Sequence, residues 1–165
     1  MGKRNIVVGQ ESWFVQDKDK QKIAKNKWSW KTAHLTPGSG IIIVKKINNE
    51  WKVLGMWARG GYDIPKGHIE EGEGVFETAV RETFEESNIS ELNFQWGKEY
   101  KIFDRLTVYL ASTTQDPKVL KNKESGIFEH DRAEWLEWDV MEKGTYDYLK
   151  PAIRWAKKVV AGEQT

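Results

Sequence analysis

The segment from Gly67 to Ile89 limits what this chain can fold into more than any other stretch of its sequence. Within it, Glu82, Glu85 and Glu86 follow the i, i+3, i+4 spacing that places three carboxylates on one face of a helix. Like charges at this spacing weaken an isolated helix by roughly a few tenths of a kcal/mol per pair. A hard divalent cation with oxygen ligands would offset this repulsion, and an acidic face exposed to water is the alternative.

The other side of the same segment predicts a helix that packs on a core. An apolar or semi-apolar stripe recurs at i, i+3, i+4 and i+7, formed by Phe76, Ala79, Val80 and Thr83. Upstream, residues 64–68 are expected to end a strand, and residues 70–74 form a glycine-rich acidic loop. A strand, a loop and an acid-faced helix in this order suit a site for metal and phosphate.

These residues resemble the Nudix box, whose pattern is G, five residues, E, seven residues, then R-E-U-x-E-E-x-G-U, with U a bulky aliphatic residue. The positions that match in register are Gly67, Glu73, Arg81, Glu82, Glu85, Glu86 and Ile89. Thr83 stands where an aliphatic residue is usual, and Asn88 stands where glycine is usual. Asparagine tolerates the left-handed conformation that a helix end asks of its glycine, so the second departure is a mild one.

The resemblance can be narrowed to one branch of the family. The run PKGHIEEGEGVFETAVRETFEESNI is similar to the box of asymmetric diadenosine tetraphosphate hydrolases, which share P-K-G-H and E-T-A-x-R-E-T-x-E-E. Glu129 and His130, followed by Trp135, resemble the E-H-x-x-x-x-W segment of the same proteins. The similarity covers roughly residues 36–160 and is dense only at the box and near Glu129. Related Nudix branches act on diphosphoinositol polyphosphates, ADP-ribose and RNA 5′ ends, so these substrates stay open.

The resemblance implies a magnesium cofactor, with manganese as a substitute. It implies Glu85 and Glu86 as the main metal ligands and Glu82 as a ligand or as the base that receives the proton of the attacking water. The carbonyl of Gly67 would complete the inner ligand set. Glu129, outside the box, resembles an additional ligand or base, and the sequence leaves open which glutamate is the general base.

Further residues have candidate roles around this centre. Glu73 and Arg81 are expected to form an ion pair that holds the loop against the helix. Lys66 and His68 flank the loop that the phosphates must approach, so both are candidates for substrate contact.

Substrate contacts are also expected beyond the box. His130 is a candidate for phosphate contact or for support of its neighbour Glu129. Tyr62 is a candidate for stacking on a base, together with Trp57 and Tyr109, although most aromatic side chains must contribute to the core.

Composition fits one domain over residues 1–165 and excludes several classes of protein. With 39% hydrophobic and 31% charged residues, the chain is expected to be soluble and globular. A net charge of +1 argues against a strongly basic nucleic-acid surface. The absence of cysteine excludes disulfides and thiolate zinc sites. Met1 to Gln10 has only a short apolar run, so we expect no signal peptide, no membrane segment and a cytoplasmic location.

Residues 1–35 lie outside the resemblance and form an N-terminal extension of uncertain role. Short strands are predicted at residues 6–8 and 13–15. Residues 17–31 carry six lysines against two aspartates, with Trp28 and Trp30 at strand spacing. A basic aromatic surface for RNA or a nucleotide is one interpretation. A solvated hairpin with its tryptophans on the core is the other.

The remaining elements alternate between strands and helices. The predictions are a turn at 36–40, strands at 40–46 and 51–57 around a turn at Asn48–Asn49, an antiparallel pair at 94–102 and 106–113, a loop at 115–125, an extended region at 127–138, and a helix from Pro151 that ends at Gly162. This order predicts an α/β layered domain. The Nudix resemblance implies an α/β/α sandwich with a mixed central sheet.

Three functions compete at this stage. The first is magnesium-dependent hydrolysis of a dinucleoside polyphosphate by water attack, with a small-molecule nucleotide as substrate. The second is the same chemistry on ADP-ribose, a diphosphoinositol polyphosphate or an RNA 5′ end. The third is a non-catalytic nucleotide-binding module, against which the intact Arg81, Glu82, Glu85 and Glu86 argue. The sequence gives no oligomeric state.

Overall fold

The computed structural model describes residues 4–8, 11–15, 38–98 and 100–162. The strands are β1 (Arg4–Val8), β2 (Glu11–Val15), β3 (Gly38–Ile47), β4 (Glu50–Ala58), β5 (Gly61–Asp63), β6 (Lys66–His68), β7 (Glu91–Leu92), β8 (Tyr100–Phe103), β9 (Leu106–Ser112) and β10 (Arg132–Leu136). The helices are α1 (Val75–Ser87), α2 (Trp138–Gly144) and α3 (Lys150–Val160), with a 3₁₀ turn at Asp147–Leu149. The predicted lysine-rich hairpin with Trp28 and Trp30 lies outside the described residues.

A mixed sheet forms the centre of the fold. Its strand order is β10-β4-β3-β9-β8, with β5 paired to β4 and β6 paired to β3. Strands β3 and β9 run parallel, while the other pairs in this sheet are antiparallel. A smaller sheet has the order β2-β1-β7. The strands predicted at residues 6–8 and 13–15 are therefore confirmed as parts of β1 and β2.

Helices cover both faces of the central sheet, so the predicted α/β/α sandwich is confirmed. Ile42 and Val44 of β3 belong to the core that includes Met141 of α2 and Ile153 of α3. Ile41 and Ile43 belong to the opposite core, which includes Ala79 and Val80 of α1. Successive side chains of a strand point to opposite faces, so a strand covered on both faces reads as a continuous apolar run.

Local predictions have mixed outcomes. The turn at Asn48–Asn49 is confirmed, with φ of 51° and 66°, and it joins β3 to β4. The predicted turn over residues 36–40 is wrong for Gly38–Gly40, which begin β3 and pair with β6. Glycine serves a close approach here, since a Cβ at Gly40 would lie 2.5 Å from the Pro65 carbonyl oxygen. Among the described residues, no helix has the length and apolar character of a membrane span.

Candidate active site

Helix α1 is fixed on the sheet by its buried side. Ala79, Val80 and Thr83 have no exposed surface, which confirms the stripe predicted from their spacing. Asn88 caps the helix with φ of 61° and donates its backbone N–H to the Phe84 carbonyl. The left-handed conformation predicted for Asn88 is therefore present. The acidic face of α1 consequently lies on the side of the helix opposite the core.

The backbone of β6 lies directly against two of the carboxylates. A Cβ at Gly67 would lie 2.1 Å from the carboxyl carbon of Glu82, so only glycine leaves room at this position. The backbone N–H of Lys66 donates to Glu86 across 3.3 Å. The backbone at Gly67 and the carboxylates of Glu82 and Glu86 therefore lie close together between strand and helix.

A bound cation would stabilise the ionised carboxylates of Glu82 and Glu86. Burial, the charge of Glu82 and a hydrogen bond shared with Glu82 raise the pKa of the Glu86 carboxyl well above its usual value. Burial also raises the pKa of Glu82, despite the nearby charge of Arg81. Two partly buried carboxylates in contact resist joint ionisation unless positive charge compensates them. Carboxylates and a peptide carbonyl are also the donor set that Mg²⁺ prefers, so these residues fit a divalent cation.

Arg81 is the positive centre of the acidic face. Its Nη1 lies 3.0 Å from Glu82 and 3.2 Å from Glu85, and its Nη2 donates to the His68 carbonyl across 3.2 Å. Glu85 thus faces Arg81 in this conformation. Across the described part of the chain, no three acidic or histidine side chains converge closely enough to hold a metal ion as they stand.

Glu73 and Arg81 join the loop to the helix. Both carboxylate oxygens of Glu73 accept from Arg81, and one also accepts from the Thr78 hydroxyl at 2.6 Å and from the Glu70 N–H at 3.1 Å. Burial alone would raise the pKa of Glu73. Hydrogen bonds from Arg81 and Thr78, together with the charge of Arg81, outweigh burial and hold it below its usual value.

Asp63 connects two candidate substrate contacts and was missed by the sequence interpretation. Its Oδ2 lies 3.3 Å from Nζ of Lys66 and 3.3 Å from Nε2 of His130. Both Asp63 and His130 are buried. Burial alone would lower the pKa of Lys66, but the charges of Asp63 and Tyr148 and the hydrogen bonds to both together outweigh burial and raise that pKa above its usual value. The spacing of Asp63 from Lys66 was a weak local signal. No feature of the sequence indicated the contact of Asp63 with His130, which lies 67 residues away.

These groups open into one cavity of about 930 Å³. The sequence-predicted residues that line it are Lys66, Gly67, His68, Arg81, Glu82, Glu85, Glu86, Glu129 and His130. Glu129 is exposed and accepts a hydrogen bond from the Asn122 amide at 3.2 Å. Further cations on the wall are Arg59, Lys121 and Lys123. The cavity wall thus carries both carboxylates and cations.

The geometry of Tyr62 does not favour the stacking role predicted for it. Tyr62 is buried in the core, packs edge-on against Trp57 at 4.9 Å and donates its hydroxyl to Glu134 at 2.8 Å. Tyr146 and Tyr148 line the cavity instead, with nearly parallel rings whose centroids lie 6.2 Å apart. A Tyr-x-Tyr pair just before the last helix was the signal that could have found them.

Known proteins with the Nudix fold resemble this chain in sequence and structure. The family model of the NUDIX domain matches residues 33–156. A Caenorhabditis elegans Ap4A hydrolase, solved as a binary complex, is 25% identical over 76% of this chain and 98% of its own, with a TM-score of 0.62. Among curated proteins, none matches.

Two more distant solved structures share the fold alone. Escherichia coli dihydroneopterin triphosphate pyrophosphohydrolase is 18% identical over 74% of this chain and 95% of its own, with a TM-score of 0.51. The NUDIX domain of Shewanella oneidensis NrtR, complexed with ADP ribose, is 12% identical over 88% of this chain and 99% of its own, with a TM-score of 0.53. Since the family match spans well over half of the 165 residues, the chain belongs to the Nudix family and is a hydrolase of the pyrophosphohydrolase type.

Proposed function

We propose that this Nudix hydrolase cleaves a phosphoanhydride bond in a nucleoside diphosphate-linked compound, with Mg²⁺ as cofactor. The proposed substrate is a dinucleoside polyphosphate such as diadenosine tetraphosphate. The observation that carries the proposal is a single cavity that contains the carboxylates of α1, the cations Arg59 and Lys66, and the pair Tyr146–Tyr148. Carboxylates suit a metal, cations suit phosphate oxygens, and parallel aromatic rings suit a nucleobase.

Glu82, Glu86 and the carbonyl of Gly67 would hold the magnesium ion, and manganese is expected to replace it. Glu85 would join them by exchanging its ion pair with Arg81 for the cation. When bound, the ion supplies charge compensation for the phosphate oxygens and lowers the pKa of a coordinated water.

The reaction forms a bond from a water oxygen to phosphorus and breaks the bridging P–O bond, while the proton of the water passes to a carboxylate. Glu82 is one candidate for this base because its carboxylate lies against Gly67, and in that case Glu85 and Glu86 would be the main ligands of the ion. Glu129 is the other, because it lines the same cavity and Asn122 holds one of its oxygens. On diadenosine tetraphosphate, asymmetric attack yields a nucleoside triphosphate and a nucleoside monophosphate.

Lys66 and His130 are proposed to contact the phosphate chain. Asp63 holds both side chains, so their positive or hydrogen-bonding atoms are already oriented before the substrate arrives. Donors fixed in this way stabilise developing charge without the cost of reorganisation during the reaction. His68, exposed on the cavity wall, is a further candidate for phosphate contact.

Tyr146 and Tyr148 support the proposal that the substrate contains an adenosine. A nucleobase that stacks on an aromatic side chain gains about 1–3 kcal/mol. Tyr146 is also anchored by its hydroxyl, which donates to the Ala58 carbonyl. The similarity to an Ap4A hydrolase of Caenorhabditis elegans supports the same substrate class.

A more highly charged substrate is the second candidate. Arg59, Lys121 and Lys123 add positive charge to the cavity wall, which favours a polyanion such as a diphosphoinositol polyphosphate or an RNA 5′ end. ADP-ribose is a third alternative, because the sequence resemblance extends to Nudix branches that act on it.

A substrate panel tests the proposal. Wild-type protein is incubated with Mg²⁺ or Mn²⁺ and diadenosine tetraphosphate, ADP-ribose, a diphosphoinositol polyphosphate or triphosphorylated RNA, and the products are separated by chromatography. We expect diadenosine tetraphosphate to give ATP and AMP in equal amounts, with ¹⁸O from labelled water in one of them. Preferred cleavage of another member would replace the substrate assignment, and no cleavage with either metal would overturn the proposed hydrolysis.

A further inference from the structure

A second, smaller cavity adjoins the candidate active site. It has a volume of about 390 Å³ and shares Ala58, Arg59 and Glu129 with the larger cavity. Ligand cavities in proteins commonly measure roughly 300–1,000 Å³, so this volume suits a small ring system. The two cavities meet at the turn between β4 and β5, where Arg59 lines both.

The wall of the second cavity carries two of the most exposed large apolar side chains among the described residues. Ile127 is 66% exposed and Phe128 is 49% exposed, and both line this cavity. Neither side chain belongs to either described core cluster. Two adjacent apolar side chains at the edge of a substrate cavity mark a surface suited to an apolar or aromatic ligand group.

The loop that carries these side chains is internally braced. The N–H of Asn122 donates to the Ile127 carbonyl at 2.8 Å, and the Asn122 side chain accepts from the N–H groups of Glu124 and Ser125. Lys121 lies over the Phe128 ring at 5.5 Å, so a cation already occupies one ring face. The loop therefore presents Ile127 and Phe128 in a defined position.

We propose that the second cavity is a subsite for the distal nucleobase of a dinucleoside polyphosphate, an assignment that rests on the proposed function. One base stacks on Tyr146 and Tyr148, the phosphates cross the turn at Arg59, and the other base packs on Ile127 and Phe128. Charge complementarity supports this occupant, because Arg59 lies where the two cavities join and a polyphosphate would pass. A mononucleotide would leave the second cavity empty.

Substitutions in the subsite should weaken the binding of a ligand with two bases and leave a ligand with one base unaffected. Two ligands test this expectation. The two ligands are a non-hydrolysable methylene-bridged analogue of diadenosine tetraphosphate and the matching analogue of adenosine tetraphosphate, which lacks the second nucleoside. Dissociation constants are measured by calorimetry for wild type, Phe128→Ala and Ile127→Ala. The matched control is Val140→Ala, an exposed apolar residue on α2 outside both cavities.

We expect Phe128→Ala to weaken binding of the dinucleoside analogue by about ten-fold, which corresponds to the loss of one stacking contact. Binding of the adenosine tetraphosphate analogue and the control variant should stay unchanged. Equal affinity of wild type for the two ligands, or equal weakening of both ligands by Phe128→Ala, would overturn the subsite. Because these are binding measurements, the result is independent of turnover. Absence of diadenosine tetraphosphate hydrolysis would count separately against the proposed function.

Discussion

Replacement of Glu73 by glutamine tests whether the contact between loop and helix stabilises the fold. In the wild type, the carboxylate of Glu73 is buried and accepts hydrogen bonds from four donors, two of them on Arg81. The amide of Glu73→Gln offers only one acceptor oxygen, and its NH₂ group faces the remaining donors. The variant therefore leaves buried donors without acceptors and removes the negative charge opposite Arg81.

The size of the effect follows from the partners that remain. Removal of one member of a buried ion pair costs about 3–5 kcal/mol. Arg81 keeps Glu82 at 3.0 Å and Glu85 at 3.2 Å, so the loss should lie near the lower end of that range. For a protein of this length, each kcal/mol lowers the Tm by about 2–4 °C, and we expect a fall of about 6–12 °C.

Thermal unfolding followed by circular dichroism measures this effect. The matched control is Glu71→Gln, which removes an exposed carboxylate from the same loop. An exposed ion pair contributes about 0–1 kcal/mol, so the control should change the Tm little. A fall of less than about 2 °C in Glu73→Gln would refute the stabilising role of this contact.

The same variant has a predictable pH dependence. The pKa of Glu73 is lower in the folded protein than its ordinary value of 4.5. A carboxyl group of this kind stabilises the fold fully above its unfolded pKa, and the stabilisation is lost as the pH falls through the folded pKa. The difference in Tm between wild type and Glu73→Gln should therefore be constant near neutral pH and shrink below pH 4.5. A difference that grows in acid would contradict the sign.

Three further substitutions test other contacts. Thr83→Val should raise the Tm by a few degrees in a thermal melt, since the buried Thr83 hydroxyl has no hydrogen-bond partner among the described residues and burying it costs about 1–3 kcal/mol. Asn88→Ala should lower the free energy of unfolding by about 1 kcal/mol in a denaturant titration, because alanine disfavours the left-handed φ of 61°. Gly67→Ala should lower kcat about 100-fold in a turnover assay, because the new Cβ must displace the Glu82 carboxylate.

A control variant or a specific result would contradict each of these three predictions. A lower Tm in Thr83→Val would mean that the hydroxyl stabilises the helix. Asn88→Gly should retain the stability that Asn88→Ala loses, and equal loss in both would contradict the conformational explanation. Unchanged kcat in Gly67→Ala would show that the position of Glu82 against β6 is unimportant for turnover.

Periodic segments were the most predictable part of the fold. In α1, the apolar stripe and the acidic face follow the same helical period, so local sequence and tertiary packing agree. Strand β3 is similarly clear because burial on both faces produces its continuous apolar run. By contrast, Gly38–Gly40 were predicted as a turn because glycine favours turns. The fold uses glycine there for close contact with β6 and the Pro65 carbonyl.

Helix α2 shows where local patterns are insufficient. The sequence predicted an extended region through Trp138, but α2 begins at that residue and ends at Gly144. Only Met141 of this seven-residue helix is buried, so no apolar period was available to detect. Likewise, Phe94 was assigned to a strand, whereas β8 begins at Tyr100.

In the candidate site, too, some residues could be predicted from the sequence and others could not. Residues of the box are close in sequence, so the helical period and the motif were enough to group Glu82, Glu85 and Glu86. Asp63, Tyr146 and Tyr148 enter the site through the tertiary arrangement of β5 and the turn before α3. The contacts from Asp63 to His130 and from Tyr146 to Ala58 join segments far apart in sequence, so the local signals at Asp63 and at the Tyr-x-Tyr pair could not show their place in the site.

The most direct test of the proposed chemistry is kcat for Glu86→Gln with Mg²⁺ and diadenosine tetraphosphate. Glu91→Gln, which changes an exposed carboxylate on β7, is the control for loss of a negative charge alone. The proposal predicts that Glu86→Gln lowers kcat by at least about 100-fold, as expected for a lost ligand at the reaction centre, while its Tm shows that the fold is retained. Near-normal kcat in Glu86→Gln would contradict the assignment of Glu86 to the metal.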